Sequence, residues 1–409
     1  MKYCLLFCLI CTIGYAGPIP AYQVRKGLPN FFSKIKSGQS LKVAYLGGSI
    51  TEAGDGWREQ SLAWLKGQYP KASFTQLPAA VGGTGSDLGV FRLQKQILDY
   101  KPDLVFVEFA VNDNGKQADQ IYRSMEGIVR KIWKHNPKTD ICFVYTLTGD
   151  MAPIIQDGKL PVSTSAMEEI ANYYGIPSIQ LGLKVAALAK EGKLIFKGKK
   201  EDYPDQLVFS ADNVHPYPET GHKLYAEALQ TAFLAFQTNQ KSQKHRLGKP
   251  FIADNWENAQ LFPVAQLLQK GTWQELSSDA VARQLQNRFS ELFKSTQSGA
   301  YLEVRIKGTI CGMYDVIGPG CGQYAVQIDG GAEKLYSRFD SYATYYRANY
   351  FMLPALSDQE HTIRFTVSDQ KPDKIAILKT RNNAMDDPKR FEENACYAGY
   401  LLVVGKVIK

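Results

Sequence analysis

The chain has 409 residues, 44% of them hydrophobic and 22% charged, the balance of a folded globular protein rather than a disordered or fibrous one. Its length exceeds what one core usually serves, so two domains are expected. The net charge of +8 is spread along the sequence with no basic run, which gives little support to nucleic-acid binding and suits an anionic polysaccharide equally well.

Residues 1–16 read as an export leader. Lys2 supplies the positive start, Leu5 to Ile13 is an apolar stretch too short to span a bilayer, and Gly14-Tyr15-Ala16 puts small residues where a signal peptidase reads. Cleavage after Ala16 and a periplasmic or extracellular location are expected. Cys11 follows Ile10, which is too large for the usual lipidation site and argues against a lipid anchor. No later segment is long and apolar enough to cross a membrane.

After an N-terminal segment, 17–40, apolar strand-like runs alternate with amphipathic helical patterns from 41 to 236. The strands are predicted at 41–46, 72–78, 104–109, 141–147 and 176–181, and the helices near 57–67, 86–100, 117–135, 165–174, 183–191 and 219–236. Leu104 to Val107 is continuously apolar, as expected of a parallel strand covered on both faces. The alternation predicts an α/β fold, a three-layer, doubly wound parallel sheet.

Residues 237–250 are polar, rich in Gln and Lys, and read as a linker. Residues 251–409 then predict an all-β sandwich of the jelly-roll kind, with short runs at 301–306, 324–328, 362–367 and 375–378 and a turn at Asp329-Gly330-Gly331. Tyr336, Phe339, Tyr342, Tyr345, Tyr346, Tyr350 and Phe351 are read either as core with surface tyrosines or as a sugar-stacking or lid surface. Beyond the leader stand Cys142, Cys311, Cys321 and Cys396. Cys142 reads as a buried thiol, and a Cys311–Cys321 bridge is one candidate in an oxidising compartment.

Four segments carry chemistry, each at a predicted strand end or beside the last helix. The first strand runs into Gly47-Gly48-Ser49-Ile50-Thr51, which ejects a serine onto a glycine turn. Gly82-Gly83-Thr84-Gly85 follows the second strand, where glycine lets backbone N–H groups approach a ligand. Asn112 follows the third strand. Asp212-Asn213-Val214-His215 precedes the last helix. A serine nucleophile needs a base within hydrogen-bond reach and a group to orient that base, and an Asp three residues before its His can supply both. Open parallel sheets bind ligands beyond the carboxyl ends of their strands, so these segments should converge.

Other polar residues read more plainly. His222 is taken as a structural histidine at a helix start, because a metal there lacks a third ligand. Asp113 is a structural hydrogen-bonder, and Trp57 is left open between core and a substrate wall. His135, His245 and His361 look like surface or packing residues.

In this order, the four segments resemble the SGNH (GDSL-type) hydrolase family over residues 41–236. The matches are Gly48-Ser49-Ile50, the glycine block around Gly83, Asn112-Asp113, and Asp212-x-x-His215. Gly48 and Ala110 depart from it, where Asp and Gly are frequent. Thr51 occupies the last position of what would otherwise be a Gly-x-Ser-x-Gly elbow, so the α/β-hydrolase pattern fits less well. The resemblance implies a catalytic triad of Ser49, Asp212 and His215, and an oxyanion hole from the N–H groups of Ser49 and Gly83 with the Asn112 side chain. It implies no metal or nucleotide cofactor, and, for an exported two-domain chain, an acylated carbohydrate substrate cleaved through an acyl-enzyme. A carbohydrate O-acyltransferase, a lipase or lysophospholipase, and a non-catalytic glycan-binding protein are the alternatives.

Overall fold

A computed structural model of the chain describes residues 18–237, 241–277 and 279–408, so the predicted leader lies outside the described residues. By its contacts the chain forms two compact units that do not follow chain order. The first holds residues up to 82, 102–121 and 138–244; the second holds 83–101, 122–137 and 245–409.

The first unit is built on a six-stranded sheet. In chain order come β1 (Tyr22–Gln23), α1 (Pro29–Lys36), β2 (Ser40–Gly47), the single turn α2 (Ser49–Glu52), α3 (Trp57–Gln68) and β3 (Ser73–Ala80). After α4 (Ser86–Gln96), which is grouped with the second unit, come β4 (Leu104–Glu108), α5 (Ala118–His135), most of which is grouped there too, β5 (Asp140–Tyr145), α6 (Ala152–Gln156), α7 (Val162–Tyr174) and β6 (Ser178–Gln180). The last elements are α8 (Leu183–Lys190), the strand pair β7 (Leu194–Lys197) and β8 (Leu207–Ser210), and α9 (Lys223–Phe236).

The sheet order is β1-β6-β5-β4-β2-β3. All neighbours are parallel except the short edge strand β1, which runs antiparallel to β6. The chain moves outward from β2 to β3 and then crosses back to β4, so the order reverses beside β2. In open parallel sheets, ligands bind beyond the carboxyl ends of the strands beside such a reversal, here β2 and β4. The register places Gly47, the last residue of β2, between Ala80 and Glu108. Tyr45, Phe106, Val144 and Ile179 on one face of the sheet share a core with Phe233, and Ala44, Val105, Val107 and Phe143, which alternate with them, are buried as well.

Trp57 belongs to that core. It is fully buried, its ring set edge-on to Tyr45 and Phe106. The substrate-wall reading of Trp57 is therefore corrected, because a side chain wedged between two core rings has no face to offer a ligand.

The second unit contains an eight-stranded antiparallel sheet and a three-stranded one. Its elements are β9 (Ala259–Pro263), β10 (Leu268–Lys270), β11 (Gln274–Glu275), α10 (Ala280–Gln284), β12 (Phe293–Ser295) and β13 (Tyr301–Ile317). Then follow β14 (Gln323–Ile328), β15 (Lys334–Ser337), β16 (Arg347–Met352), β17 (Gln359–Val367), α11 (Lys374–Lys379), β18 (Cys396–Ala398) and β19 (Tyr400–Ile408). The long strand β13 is the axis: β17 and β16 pair along one edge, β10 and β19 along the other. Phe293 and Ala398 of the small sheet share a core with Leu302, Met313 and Phe365 of the large one.

Two expectations fail in this unit. Ile375–Leu378 lies in helix α11, not a strand, because the Asp373 carboxylate accepts from Ala376 N (2.9 Å) and caps a helical turn. Cys311 and Cys321 are buried free thiols rather than a bridge: Cys311 packs into the core, while Cys321 Sγ turns to the Val316 carbonyl (3.6 Å). Of the aromatic group, Phe339 is buried, whereas Tyr342 and Tyr345 are 45% and 53% exposed.

Candidate active site

Ser49 is the first residue of α2, and Gly48 before it is extended, so the chain turns sharply as it leaves β2. Gly48 packs directly against the Asn112 side chain at the end of β4, and a Cβ there would overlap Asn112 Oδ1. Glycine at 48, a departure from the frequent family residue, is thus matched to where Asn112 lies.

The segment bearing Asp212 and His215 is presented by β7 and β8, a parallel pair that the hydrophobic pattern did not disclose. A bridge between Ser210 and Pro216 closes the loop at its base. Inside it, Ser210 Oγ accepts from Asn213 N (2.7 Å), and Asn213 takes a φ of +78°, a left-handed conformation that asparagine tolerates. Asp212 Oδ1 accepts from Val214 N (2.9 Å) and His215 N (2.8 Å), an Asx turn that fixes the carboxylate.

These two segments meet. His215 Nε2 lies 2.9 Å from Ser49 Oγ, and His215 Nδ1 lies 2.6 Å from Asp212 Oδ2. Partial burial pushes the Asp212 carboxyl up, but the His215 ring and the two backbone N–H groups outweigh it and hold the group below its ordinary value. Asp212 therefore stays ionised through neutral pH and favours the tautomer with the proton on Nδ1, leaving the Nε2 lone pair toward the serine. The His215 and Asp212 side chains are 52% and 51% exposed, so this end of the hydrogen-bond path is open to solvent.

Polar residues that the motifs did not single out grip the serine turn. Glu108, wholly buried at the end of β4, accepts from Thr51 Oγ1 (2.9 Å), Thr146 Oγ1 (2.6 Å) and the Gly48 N–H. Burial pushes its carboxyl up, and the nearby Asp113 adds to that, while the three donors pull it down. Arg58 Nε donates to the Thr51 carbonyl (2.9 Å). Glu52 Oε2 accepts from Gly82 N (2.6 Å). Since the Gly82 N–H is engaged there, the next N–H in the glycine block is that of Gly83, which has a φ of +70° and is exposed. Asn112 is half-buried and its Oδ1 is without a partner among the described residues. Asp113, fully buried, pairs with Lys116 (2.9 Å), as a structural hydrogen-bonder should.

Glu108 carried a faint signal: an acid ending the apolar run Leu104–Val107. Arg58 and Glu52 carried none, because they bind backbone groups that every residue has. No cluster of His, Cys, Asp and Glu suited to a metal ion occurs among the described residues.

Residues 45–224 match the GDSL-like Lipase/Acylhydrolase family. No curated protein matches the chain in sequence. Among solved structures, a two-domain esterase (CEX) active on acetylated mannans is similar in fold. Its form co-crystallised with mannopentaose is 17% identical, with a TM-score of 0.72 over 93% of this chain and 94% of that one. A second structure of the esterase is also 17% identical, with a TM-score of 0.74 over 94% and 97% of the two chains. The likeness extends over both domains.

Proposed function

We propose that this chain, whose residues 45–224 match the GDSL-like Lipase/Acylhydrolase family, is an exported serine esterase that removes O-acetyl groups from a polysaccharide. Carboxylic ester hydrolysis is what that match and the structural likeness support; the residue roles, the carbohydrate and export are our reading. The observation that carries the mechanism is the unbroken hydrogen-bond path from Asp212 through His215 to Ser49.

In this mechanism Ser49 Oγ attacks the acetyl carbonyl carbon as His215 Nε2 takes its proton. Asp212 holds the ring and stabilises the imidazolium without itself being protonated. The oxyanion accepts from the Ser49 and Gly83 N–H groups and from the Asn112 amide, each such donor being worth ~3–4 kcal/mol of barrier. Collapse breaks the ester bond, and the sugar oxygen leaves with the proton from His215. Water then yields a proton to His215 and attacks the acyl-enzyme, releasing acetate and restoring the Ser49 hydroxyl.

Three observations favour an acetylated carbohydrate. The relay is open at His215, as a polymer requires. Tyr342 and Tyr345 of the second unit remain partly exposed beside Arg381 and Arg347. The mannan-active esterase shares the two-domain fold.

The protein should release acetate from acetylated mannan and cleave 4-nitrophenyl acetate. Ser49→Ala should lower kcat by about 10⁴-fold or more; full activity in that variant would sink the mechanism. A preference for long-chain esters would instead mark a lipase, and acetyl transfer to an added sugar a transferase. Export predicts that the mature protein begins at Gly17, which N-terminal sequencing of the secreted form reads directly.

A further inference from the structure

His222 is 1% exposed and stands seven residues beyond His215. It ends a π-helical turn, Pro218–His222, in which His222 N donates to the Tyr217 carbonyl (3.1 Å). Single π turns are rare and concentrate at functional sites. Gly221 allows this turn to sit close, since a Cβ there would meet Phe209 and Pro216 at 2.6 Å. Pro216 is the residue directly after His215, so His222 rides on the same rigid segment as the base.

The ring of His222 reaches the other segment. Its Nδ1 accepts from Trp57 N (3.2 Å). Trp57 opens α3, whose N-cap, Gly56, has no side chain to satisfy the helix's first N–H groups. His222 provides that cap from across the fold, and α3 directly follows the Ser49 turn. The same two segments are tied again by Gln60 Nε2, which donates to the Pro218 carbonyl (2.9 Å) and to the Asp55 carbonyl (2.7 Å).

The remaining nitrogen shows what this residue is not for. With Nδ1 accepting, the neutral ring carries its proton on Nε2, and that N–H is buried without a partner among the described residues. A buried orphan donor costs stability, so an apolar side chain would suit packing better. Burial, with the His215 charge adding to it, lowers the His222 pKa to about 4, which keeps Nδ1 an acceptor throughout the neutral range.

We propose that His222 is a positioning residue: its Nδ1 acceptor locks the segment carrying His215 to the segment carrying Ser49 and holds the two at hydrogen-bond distance. This rests on the reading that Ser49 is the nucleophile. A packing residue would show its effect in stability alone. A positioning residue shows it in the reactivity of Ser49.

The test compares His222→Asn with His222→Gln in the full-length protein. Asparagine can place a carbonyl oxygen where Nδ1 lies, whereas glutamine places its amide at the Nε2 end. Three quantities are measured for each: melting temperature, kcat and KM on 4-nitrophenyl acetate, and the rate at which a fluorophosphonate labels Ser49. We expect His222→Asn to stay within about threefold of wild type in kcat and labelling rate. We expect His222→Gln to lose about tenfold or more in both, with KM changed less than about twofold. Equal behaviour of the two variants, or loss of activity that follows melting temperature alone, would overturn the proposal. If the wild type itself is not labelled at Ser49, the esterase mechanism fails instead, and the two failures are distinct.

Discussion

Among the described residues, serine, histidine and aspartate come together at Ser49, His215 and Asp212 and again at Ser357, His361 and Asp329, and the hydrogen bonds of the two groupings differ. In the second unit His361 Nδ1 lies 2.7 Å from Asp329 Oδ2, and its Nε2 lies 2.9 Å from the Ser357 carbonyl and 3.3 Å from Ser357 Oγ. A carbonyl only accepts, so Nε2 must donate to it, and Nδ1 donates to the carboxylate. With Nε2 protonated, no lone pair faces the serine to take its proton, and the doubly protonated ring satisfies both acceptors and carries a charge. The Asp329 hydrogen bond raises the His361 pKa accordingly, with the Ser357 carbonyl adding to it. That charge is a loop fastener: its stabilisation is full below the unfolded pKa and is lost as pH rises through the raised folded one. At His215 the Nε2 partner is a hydroxyl, which can donate. The contrast makes a prediction. Asp212→Asn, which favours the wrong tautomer, should lower kcat by about 10³–10⁴-fold, while Asp329→Asn should leave kcat on 4-nitrophenyl acetate unchanged. Comparable losses in both would mean that the role assigned to Asp212 is wrong.

At the scale of elements, the site is a strand end held from beneath. Glu108 closes β4 and binds the turn that follows β2, together with Thr146 beyond β5. Glu108→Ala would leave the Gly48 N–H and two hydroxyls buried without their acceptor, at a cost of ~1–3 kcal/mol for each group that water cannot reach. We expect chemical denaturation to show a loss of about 2–4 kcal/mol, and a change within experimental error would refute this account of the turn. The parallel sheet was legible because strands covered on both faces are continuously apolar, as Leu104–Val107 is. That the segments bearing Ser49, Asn112, Asp212 and His215 converge was legible because their spacing and order are distinctive. The pair β7–β8 was not, since Leu194–Lys197 and Leu207–Ser210 are too short to show a period. Ile375–Leu378 was misread for a related reason: four apolar residues fit either period, and the Asp373 cap decides for helix. Glu108 reaches the Thr51 and Thr146 hydroxyls and a backbone N–H, Arg58 a carbonyl and His222 a distant backbone N–H, pairings that no local pattern reveals.

At the scale of the whole molecule, chain order and packing disagree about α4 and α5. In sequence they are the crossovers that lead from β3 to β4 and from β4 to β5. By contact, α4 and most of α5 belong with the C-terminal sheet. Phe91 of α4 packs on Trp256, with ring centroids 5.8 Å apart, and Arg123 accepts through its carbonyl from Trp256 N (2.9 Å). Glu126 accepts from Phe251 N (2.5 Å) and Ile252 N (2.8 Å). Lys131 Nζ donates to the Val90 and Ala259 carbonyls at 2.7 and 2.5 Å. At the start of α4, Asp87 accepts from Tyr350 Oη (2.8 Å), so β16 steadies the helix that follows the glycine block. A chain ending at residue 244 would strip these helices of Phe251, Trp256, Ala259 and Tyr350 at once. It would expose Val90 and Phe91 and leave the Glu126 carboxylate and the Lys131 ammonium short of partners. Such a truncation should be insoluble, or should melt far below the full chain, although every residue of the Ser49 relay is retained. Melting curves and labelling of Ser49 by a fluorophosphonate decide it. A truncated protein that melts with the full chain and labels at the same rate would show that the crossover helices do not depend on the sheet they pack against.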